Sequence, residues 1–298
     1  MTGWGVALCS IKVCGAGAGA VHHCSILSIS TRMSNVESVA QSYQQFNPRA
    51  YLQNNYVPPR ADFSNEGSVV QWKLRCLADA CATGEIGGHT LVDIGSGPTI
   101  YQILSASEHF KEVVLTDYLE VNRAELRRWL QDEPGAFDWS PYIKHVSKLE
   151  GRGDSWQEKQ KRIRERVKTV LPVDVHQPNP LGEEISSGSV DALVSTFCLE
   201  ACSPNLEMFH RALGNITKLL KPGGHLLFIG ALEESYYLAG EAKLNVVPVT
   251  EEIVRNALSD ASYKIKEFKT YIMPPTLKVG VDDVNGVFFA WAQKQDSK

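Results

Sequence analysis

The 298-residue sequence lacks the features that mark several large classes of protein. Its hydrophobic runs fall short of the roughly twenty residues that a membrane-spanning helix requires. It has no excess of positive charge, because 30 lysines and arginines stand against 34 acidic residues, for a net charge of −4. This balance argues against a general role in binding nucleic acids or membrane surfaces. With 43% hydrophobic residues the chain can still bury a sizeable core.

Cysteine is present but is not arranged for metal binding or disulfide bonding. The sequence has 7 cysteines and no Cys-x-x-Cys pair. An odd number of scattered cysteines is typical of reduced, intracellular proteins. We therefore expect a cytoplasmic protein.

The first 32 residues differ from the rest, since they contain no acidic residue and show no sustained hydrophobic period. The apolar run at 14–21 resembles the core of a secretory signal, but Lys12 is the only charge before it. Met33 opens an ordinary-looking sequence. We expect residues 1–32 to be a disordered extension upstream of the usual initiator. Residues 33–298 would then form a single domain with an N-terminal lid over about 34–82.

A glycine turn after a short apolar strand is the central motif of the chain. Leu91–Ile94 leads into Gly95-Ser96-Gly97, where two glycines allow positive φ and let a ligand lie against bare main chain. Such a turn at the carboxyl end of a parallel strand is where open α/β sheets bind nucleotides. The next apolar run ends at Asp117, whose carboxylate can accept both hydroxyls of a ribose. The pair predicts a nucleoside-binding site.

The third glycine of the dinucleotide motif is missing, because that position is Ile100. The last glycine of Gly-x-Gly-x-x-Gly allows close packing of helix on strand, and the helix N-terminus holds the pyrophosphate. S-adenosylmethionine has no phosphate and needs only the close backbone approach. The departure therefore favours a methyltransferase over a nicotinamide enzyme.

Apolar strands alternate with amphipathic segments along the remaining chain. We predict helices over 69–82, 98–109, 121–131 and 205–220, and strands over 91–94, 113–117, 167–174, 191–197, 225–231, 263–272 and 287–293. No helix fits between the last two strands, so they should pair antiparallel. Five β-then-α units ending in such a pair predict an α/β fold, the seven-stranded, mostly parallel sheet of class I S-adenosylmethionine-dependent methyltransferases, with an antiparallel last strand.

Two segments allow two interpretations each. Composition alone favours residues 47–60 as a linker with buried tyrosines, the alternative being a lid whose Tyr51 and Tyr56 reach a ligand carboxylate. The basic run Lys159–Arg166 is typical of a solvated helix face, although it could contact phosphates.

Several longer motifs carry a resemblance to a known family. They include Arg49-Ala-Tyr-Leu-Gln-Asn-Asn-Tyr56, Asp93-Ile-Gly-Ser-Gly-Pro-Thr99, Asp117-Tyr-Leu-Glu-Val-Asn-Arg123, Phe197-Cys-Leu-Glu-Ala201 and Gly280-Val-Asp-Asp-Val284. From Phe46 to Gln293 the chain resembles the small-amine N-methyltransferases, the group of the phenylethanolamine, nicotinamide and indolethylamine enzymes. The resemblance is strongest to the phenylethanolamine branch.

This resemblance implies S-adenosylmethionine as the cofactor and a set of residues that hold it. The methionine end would lie against Tyr51, Tyr56, Gly95, Ser96 and Tyr101, the ribose against Asp117 and Asn122, and the adenine against Asp174 and Val175. Thr196 would lie beside the cofactor where the family often has alanine. Tyr236 stands where the family often has tryptophan, and we expect it to alter the pocket wall.

The resemblance also implies a pocket for a small aromatic amine. The ring would lie between Phe197 and Asn55, with Lys73 near the ring hydroxyls and Tyr237 in the wall. The carboxylates of Glu200, Glu234 and Asp282 would surround the amine as catalytic groups. An amine enters protonated, so a carboxylate whose pKa is raised by burial and like charge could remove the proton. No metal is implied, and the acids Glu233, Glu241 and Asp283 are read as surface charges.

The sequence thus predicts methyl transfer from S-adenosylmethionine to the amine of phenylethanolamines, noradrenaline to adrenaline being the family reaction. We expect a monomer that works without a nucleic-acid or membrane partner. The alternatives are an indolethylamine or nicotinamide N-methyltransferase, or a relative that binds the cofactor without catalysis. A pocket with both Glu234 and Asp282 argues against nicotinamide, which carries no ammonium.

Overall fold

A seven-stranded sheet positions every other element. The computed structural model describes residues 36–65, 67–151 and 155–296. The strands of this sheet are β1 (Gly88–Ile94), β2 (Phe110–Asp117), β3 (Val167–Pro172), β4 (Val190–Thr196), β5 (Leu220–Leu232), β8 (Tyr263–Ile272) and β9 (Gly286–Lys294). Their order is β3-β2-β1-β4-β5-β9-β8. The first five are parallel, and β9 runs antiparallel to both neighbours, which confirms the predicted fold class.

Helices cover both faces of the sheet. They are α1 (residues 36–42), α2 (Pro48–Asn55), α3 (Val69–Ala82), α4 (Glu120–Leu130), α5 (Ser140–Leu149), α6 (Trp156–Arg166), α7 (Leu199–Cys202), α8 (Leu206–Thr217) and α9 (Glu251–Asp260). Alternate strand residues point to opposite faces, so Leu91 belongs to one core and Val92 to the other. The first core includes side chains of α3, α4, α5 and α6, and the second those of α8 and α9. Burial on both sides explains the unbroken apolar runs of the central strands.

The segment after the glycine turn is not the α-helix predicted over 98–109. It contains two short 3₁₀ turns, Tyr101–Ile103 and Ala106–His109. Gln102 Nε2 donates to the carbonyl oxygens of Ser96 and Thr99, and Thr99 Oγ1 donates to Ser96 O as well. The bond to Thr99 O occupies a carbonyl that an α-helix over 98–109 would use for its own ladder, and the Ile103 N–H donates to Ile100 O instead, as in a 3₁₀ turn.

One other sequence-based expectation needs correction, and two structural elements were missed. The third strand ends at Pro172, before Asp174, whose N–H donates to Pro180 O in the following turn. Helix α5 and the hairpin of β6 (Tyr236–Ala239) and β7 (Ala242–Asn245) were not predicted. Their periods are short and broken by proline or glycine, which hides them from pattern analysis.

The basic run is not wholly a solvated helix face. Lys159 is buried, and its Nζ lies 2.8 Å from Glu150 and 3.7 Å from Glu108. Arg162 and Arg166 also reach Glu108. The run therefore ties α6 to the end of the preceding helix and to the turn before β2.

No helix within the described ranges is long and apolar enough to cross a membrane. The extension predicted over residues 1–32 lies outside the described residues, as does the first part of the predicted lid.

Candidate active site

The glycine turn between β1 and the first 3₁₀ turn forms the floor of a cavity. The Ser96 N–H donates to Thr116 O at 2.7 Å, and Thr116 Oγ1 donates to Asp93 O at 2.7 Å, so β2 holds the turn from below. Gly95 has φ +69°, and a Cβ there would lie 2.2 Å from Cys198 Sγ. Both the backbone conformation and the close packing therefore require glycine at this position.

Asp117, at the end of β2, faces the same turn. Its carboxylate accepts from the Gly97 N–H at 2.8 Å, the Leu119 N–H at 2.8 Å and Asn122 Nδ2 at 3.0 Å. Burial raises the pKa of Asp117, and these donors act against that shift. Asn122 Oδ1 is buried and has no hydrogen-bond partner within the described part of the chain. The pair thus forms a fixed polar ledge with acceptor capacity left for a ligand.

The cavity beside Asp117 and Asn122, here called the cofactor cavity, brings together most residues predicted to bind the cofactor. Its lining includes Tyr51, Tyr56, Gly95, Ser96, Asp117, Asn122, Asp174, Val175 and Thr196. Tyr101 is buried beneath the wall instead, with its ring centroid 5.4 Å from that of Tyr56. A bare glycine turn, a buried acid and an apolar far side fit a nucleoside that carries no phosphate, which is the chemistry of S-adenosylmethionine.

Sequence reasoning missed part of this cavity. Val36, Val39, Ala40 and Tyr43 of the N-terminal segment line it, and none of them was among the predicted site residues. Tyr43 Oη donates to Ala201 O at 3.0 Å and accepts from Tyr237 Oη at 3.0 Å. Nothing in the residue pattern links Tyr43 to Ala201 or Tyr237, which lie 158 and 194 residues further along the chain.

A second cavity, here called the amine cavity, brings together all the residues predicted to bind the substrate. Its lining includes Asn55, Lys73, Phe197, Glu200, Glu234, Tyr237 and Asp282. They come from α2, α3, the end of β4, α7, the segment around β6, and the loop between β8 and β9. Three carboxylates thus converge on one small space, which suits a ligand that carries a positive charge.

Glu200 has one carboxylate oxygen committed and one free. Oε1 accepts from the Ala231 N–H at 2.9 Å, whereas Oε2 is buried without a hydrogen-bond partner among the described residues. Burial raises the pKa of Glu200 to about 7. A Cβ on Gly230 would lie 2.7 Å from Oε1, so glycine in β5 makes room for this carboxylate.

Glu234 follows β5 and faces Glu200 and Asp282 across the cavity. Burial raises its pKa well above the usual value, and repulsion from Asp282 and Glu200 adds to that rise. A carboxyl with a raised pKa can hold a proton near neutral pH, which is the property of a general base for an ammonium.

Lys73, on helix α3, is buried among aromatic rings. Its Nζ lies 4.4 Å from the ring centroid of Tyr101, 4.8 Å from that of Phe197 and 5.4 Å from that of Tyr56. Burial, together with the positive charge of Arg60, lowers the pKa of Lys73 to about 7. Cation–π contacts with three faces compensate part of the cost of burying the charge.

Arg60 is the functional residue that sequence reasoning missed in this cavity. Its guanidinium donates to both carboxylate oxygens of Asp282, with Nη2 2.8 Å from Oδ1. Nη1 also lies 3.1 Å from Asn55 Oδ1. Both side chains of the ion pair are about 6% exposed. The only available signal was a cation in the lid segment just after two prolines.

Tyr236 does not alter the pocket wall, contrary to expectation. It lines neither cavity. Its ring instead makes a cation–π contact with Lys243, whose Nζ lies 3.8 Å from the ring centroid. The neighbouring Tyr237 points inward, because successive residues of strand β6 face opposite sides.

The two cavities adjoin, because the same residues form a wall of both. Tyr51, Tyr56, Phe197, Ala201 and Tyr237 line each of them. A ligand of the cofactor cavity and a ligand of the amine cavity would therefore meet at this aromatic wall.

The sheet order, the glycine turn after β1 and the acid at the end of β2 define a class I methyltransferase fold. A solved S-adenosylmethionine-dependent methyltransferase from Methanosarcina mazei shares it, with a TM-score of 0.50 at 16% identity, over 72% of this chain and 97% of that one. The chain belongs to the NNMT/PNMT/TEMT family, whose model matches residues 34–295.

Individual relatives narrow the comparison. The chain is 63% identical to human phenylethanolamine N-methyltransferase over 262 residues, which cover 86% of this chain and 92% of that enzyme. It is 62% identical to the rat phenylethanolamine N-methyltransferase over 257 residues, covering 86% of this chain and 90% of that enzyme. Similarity to the pig nicotinamide N-methyltransferase is lower, at 44% over 224 residues, covering 75% of this chain and 84% of that enzyme.

Proposed function

We propose that this protein transfers a methyl group from S-adenosylmethionine to the amine nitrogen of phenylethanolamines. The observation that carries the proposal is the aromatic wall shared by the cofactor cavity and the amine cavity, the latter lined by three carboxylates. The high identity to phenylethanolamine N-methyltransferases over most of both chains supports the same substrate class.

The residues around the glycine turn would hold the cofactor. Asp117 and Asn122 offer acceptors for ribose hydroxyls, and Asp174 and Val175, which line the same cavity, would contact the adenine. S-adenosylmethionine supplies a methyl group on a positively charged sulfur, which leaves as a neutral thioether. The protein therefore needs neither a covalent intermediate nor a metal to activate the methyl group.

The amine cavity would bind the ammonium, and a carboxylate in it would remove the proton. A protonated amine has no lone pair, so the N–H bond must break, with the electron pair left on nitrogen. Glu234 has a pKa raised by burial and like charge, and Glu200 has a free buried oxygen and a pKa near 7. Both are suited to receive a proton at neutral pH, directly or through water.

The aromatic wall would align the substrate ring with the cofactor. Phe197 offers a ring face, and Lys73 Nζ lies 4.8 Å from the centroid of that ring, within the same cavity. Lys73 can then contact hydroxyls on the substrate ring. Proximity and orientation of this kind supply roughly 7–11 kcal/mol of barrier reduction.

We further propose that residues 33–298 act as one cytoplasmic, monomeric domain whose lid spans about 34–82. Tyr51, Arg60 and Lys73 of that segment all line the amine cavity, which supports a lid that completes the site. Light scattering during size-exclusion chromatography, at several concentrations, tests the monomer.

Transfer of labelled methyl groups to noradrenaline, tryptamine and nicotinamide in parallel tests the function. We expect noradrenaline to give the highest kcat/KM and nicotinamide the lowest, because nicotinamide carries no ammonium for the carboxylates. A preference for tryptamine or nicotinamide would reject the substrate class. Cofactor binding without transfer to any amine would indicate a non-catalytic relative.

A further inference from the structure

The Arg60–Asp282 ion pair occupies the amine cavity from the lid side. Arg60 follows α2, and Asp282 lies in the loop between β8 and β9, so the pair joins the lid to the far edge of the sheet. The backbone of Asp282 is itself fixed by a bridge to Tyr237 and by the Leu238 N–H donating to Val281 O at 2.8 Å. Asp282 is therefore held at both its main chain and its side chain.

The pair changes what Asp282 can do chemically. A carboxylate has about four lone-pair positions, and the two donors of Arg60 use one on each oxygen. Acceptor capacity remains for a neutral hydroxyl. An ammonium beside Asp282 would instead approach the guanidinium charge, and that repulsion opposes its binding there.

The other acids of the cavity have no such partner. No ion pair joins Glu200 or Glu234 to a cation anywhere in the described ranges. An ammonium that enters the cavity is therefore attracted to these two carboxylates rather than to the neutralised Asp282.

We propose that Arg60 is a positioning residue that sets the division of labour in the amine cavity. By neutralising Asp282 and aiming it into the cavity, Arg60 reserves Asp282 for the substrate's β-hydroxyl and leaves the ammonium to Glu234. In this arrangement the ammonium N–H bond breaks, nitrogen keeps the electron pair, and the proton joins a Glu234 oxygen. The inference rests on the proposed function and assigns Asp282 to substrate binding rather than to proton transfer.

Arg60 also acts on the proton acceptor from a distance. Glu234 is faced by the negative charges of Glu200, Asp282 and Asp283, by the positive charge of Arg60, and by the hydroxyls of Tyr51 and Tyr237. Lys73 lines the same cavity from α3. Arg60 lowers the pKa of Glu234 against the effects of burial and like charge. Loss of its charge should therefore move the acidic limb of the pH profile to higher pH.

The test compares two substrates that differ only in the hydroxyl, phenylethanolamine and phenylethylamine, at saturating S-adenosylmethionine. In Arg60→Lys the charge stays but the two-pronged contact is lost. We expect kcat/KM for phenylethanolamine to fall about tenfold or more, mainly through KM, and that for phenylethylamine to fall less than about threefold. The acidic limb should stay in place.

In Arg60→Met both the contact and the charge are lost. We expect the same loss of preference for the hydroxylated amine, together with an acidic limb at higher pH for both amines. Arg255→Met is the control for loss of an arginine elsewhere, because Arg255 pairs with Glu251 on α9, where the two side chains are 42% and 46% exposed and lie outside both cavities. Melting temperature and the Kd of S-adenosylhomocysteine establish that each variant is folded.

The outcomes separate this inference from the proposed function. Equal losses for both amines in Arg60→Lys, or an unmoved acidic limb in a folded Arg60→Met, would overturn the role of Arg60. If Arg60→Met does not fold, the preference measured with Arg60→Lys decides. Failure of the unsubstituted enzyme to methylate either amine would instead reject the proposed function.

Discussion

The two cavities of this protein are built in different ways. The floor of the cofactor cavity is the Gly95 turn at the carboxyl end of β1, and Asp117 at the end of β2 lies close to that turn in sequence. The amine cavity contains five buried charged side chains, from segments scattered between Arg60 and Asp282. A floor of main chain tolerates many side chains around it, whereas a cavity with several buried charges depends on each of them.

The electrostatics differ in the same direction. In the cofactor cavity, burial raises the pKa of Asp117, and hydrogen bonds from local donors act against that rise. In the amine cavity, burial raises the pKa of both Glu234 and Glu200, and repulsion from neighbouring carboxylates adds to the rise at Glu234. Substitutions in the amine cavity should therefore alter chemistry and pH dependence, and those in the cofactor cavity should alter binding alone.

Glu234→Gln should have the largest effect and would break this contrast if it did not. Loss of a general base costs roughly a hundredfold or more in rate, and both amines carry the ammonium that Glu234 would serve. We expect kcat/KM to fall at least that far for phenylethanolamine and phenylethylamine alike. The Kd of S-adenosylhomocysteine, measured by calorimetry, should not change. A variant that keeps near-normal turnover would remove Glu234 from the chemistry.

Asp282→Ala should cost about tenfold to a hundredfold in kcat/KM for noradrenaline, corresponding to roughly 1–3 kcal/mol for the lost contacts. The loss for an amine without the β-hydroxyl should be much smaller. Specificity constants for the two amines at saturating cofactor measure the difference. Equal losses would show that Asp282 does not read the hydroxyl.

Asp117→Ala tests the other side of the comparison. Hydrogen bonds to a charged group contribute of order 1.5–3 kcal/mol each, so cofactor affinity should fall at least about tenfold. Once the cofactor is saturating, the preference among amines should be retained. Asp117→Asn, which keeps the shape of the side chain, serves as the milder control. An unchanged Kd by calorimetry would exclude Asp117 from the cofactor site.

The pH profile sharpens the contrast further. The Glu200 pKa of about 7 lies above its usual value, so its charged, proton-accepting form increases as pH rises through that value. If Glu200 is required as the carboxylate, kcat/KM should be about tenfold lower one pH unit below 7 than on the plateau. Glu200→Gln should lose the part of the limb near pH 7, whereas the part that belongs to Glu234 should remain. A limb that persists unchanged would assign the titration to another group.

Tyr236→Trp should have the smallest effect. The side chain lies outside both cavities against Lys243, and surface changes usually remain within about 0.5 kcal/mol. We expect kcat/KM and melting temperature to stay within about twofold and a few degrees of the parent. A large gain or loss with bulky amines would place Tyr236 in the substrate path after all.

Patterns within the sequence were enough to predict the sheet and the glycine turn that faces the cofactor cavity. Unbroken apolar runs identify strands buried on both faces, and a glycine pair after one of them identifies the point where a ligand meets the backbone. These signals are local, because strand period and positive φ depend on neighbouring residues. The same locality explains the failure at 98–109, where side chains of Thr99 and Gln102 compete with the helix.

Which charged side chains of the amine cavity pair with one another became known only from the tertiary structure. Resemblance to a family pointed to Glu234 and Asp282, but the partner of Asp282, Arg60, lies 222 residues earlier in the chain. The burial of Lys73 among three rings was equally hidden, because α3 gives no sign of what packs against it. Contacts between distant segments depend on how the whole chain folds, and no spacing within one segment records them.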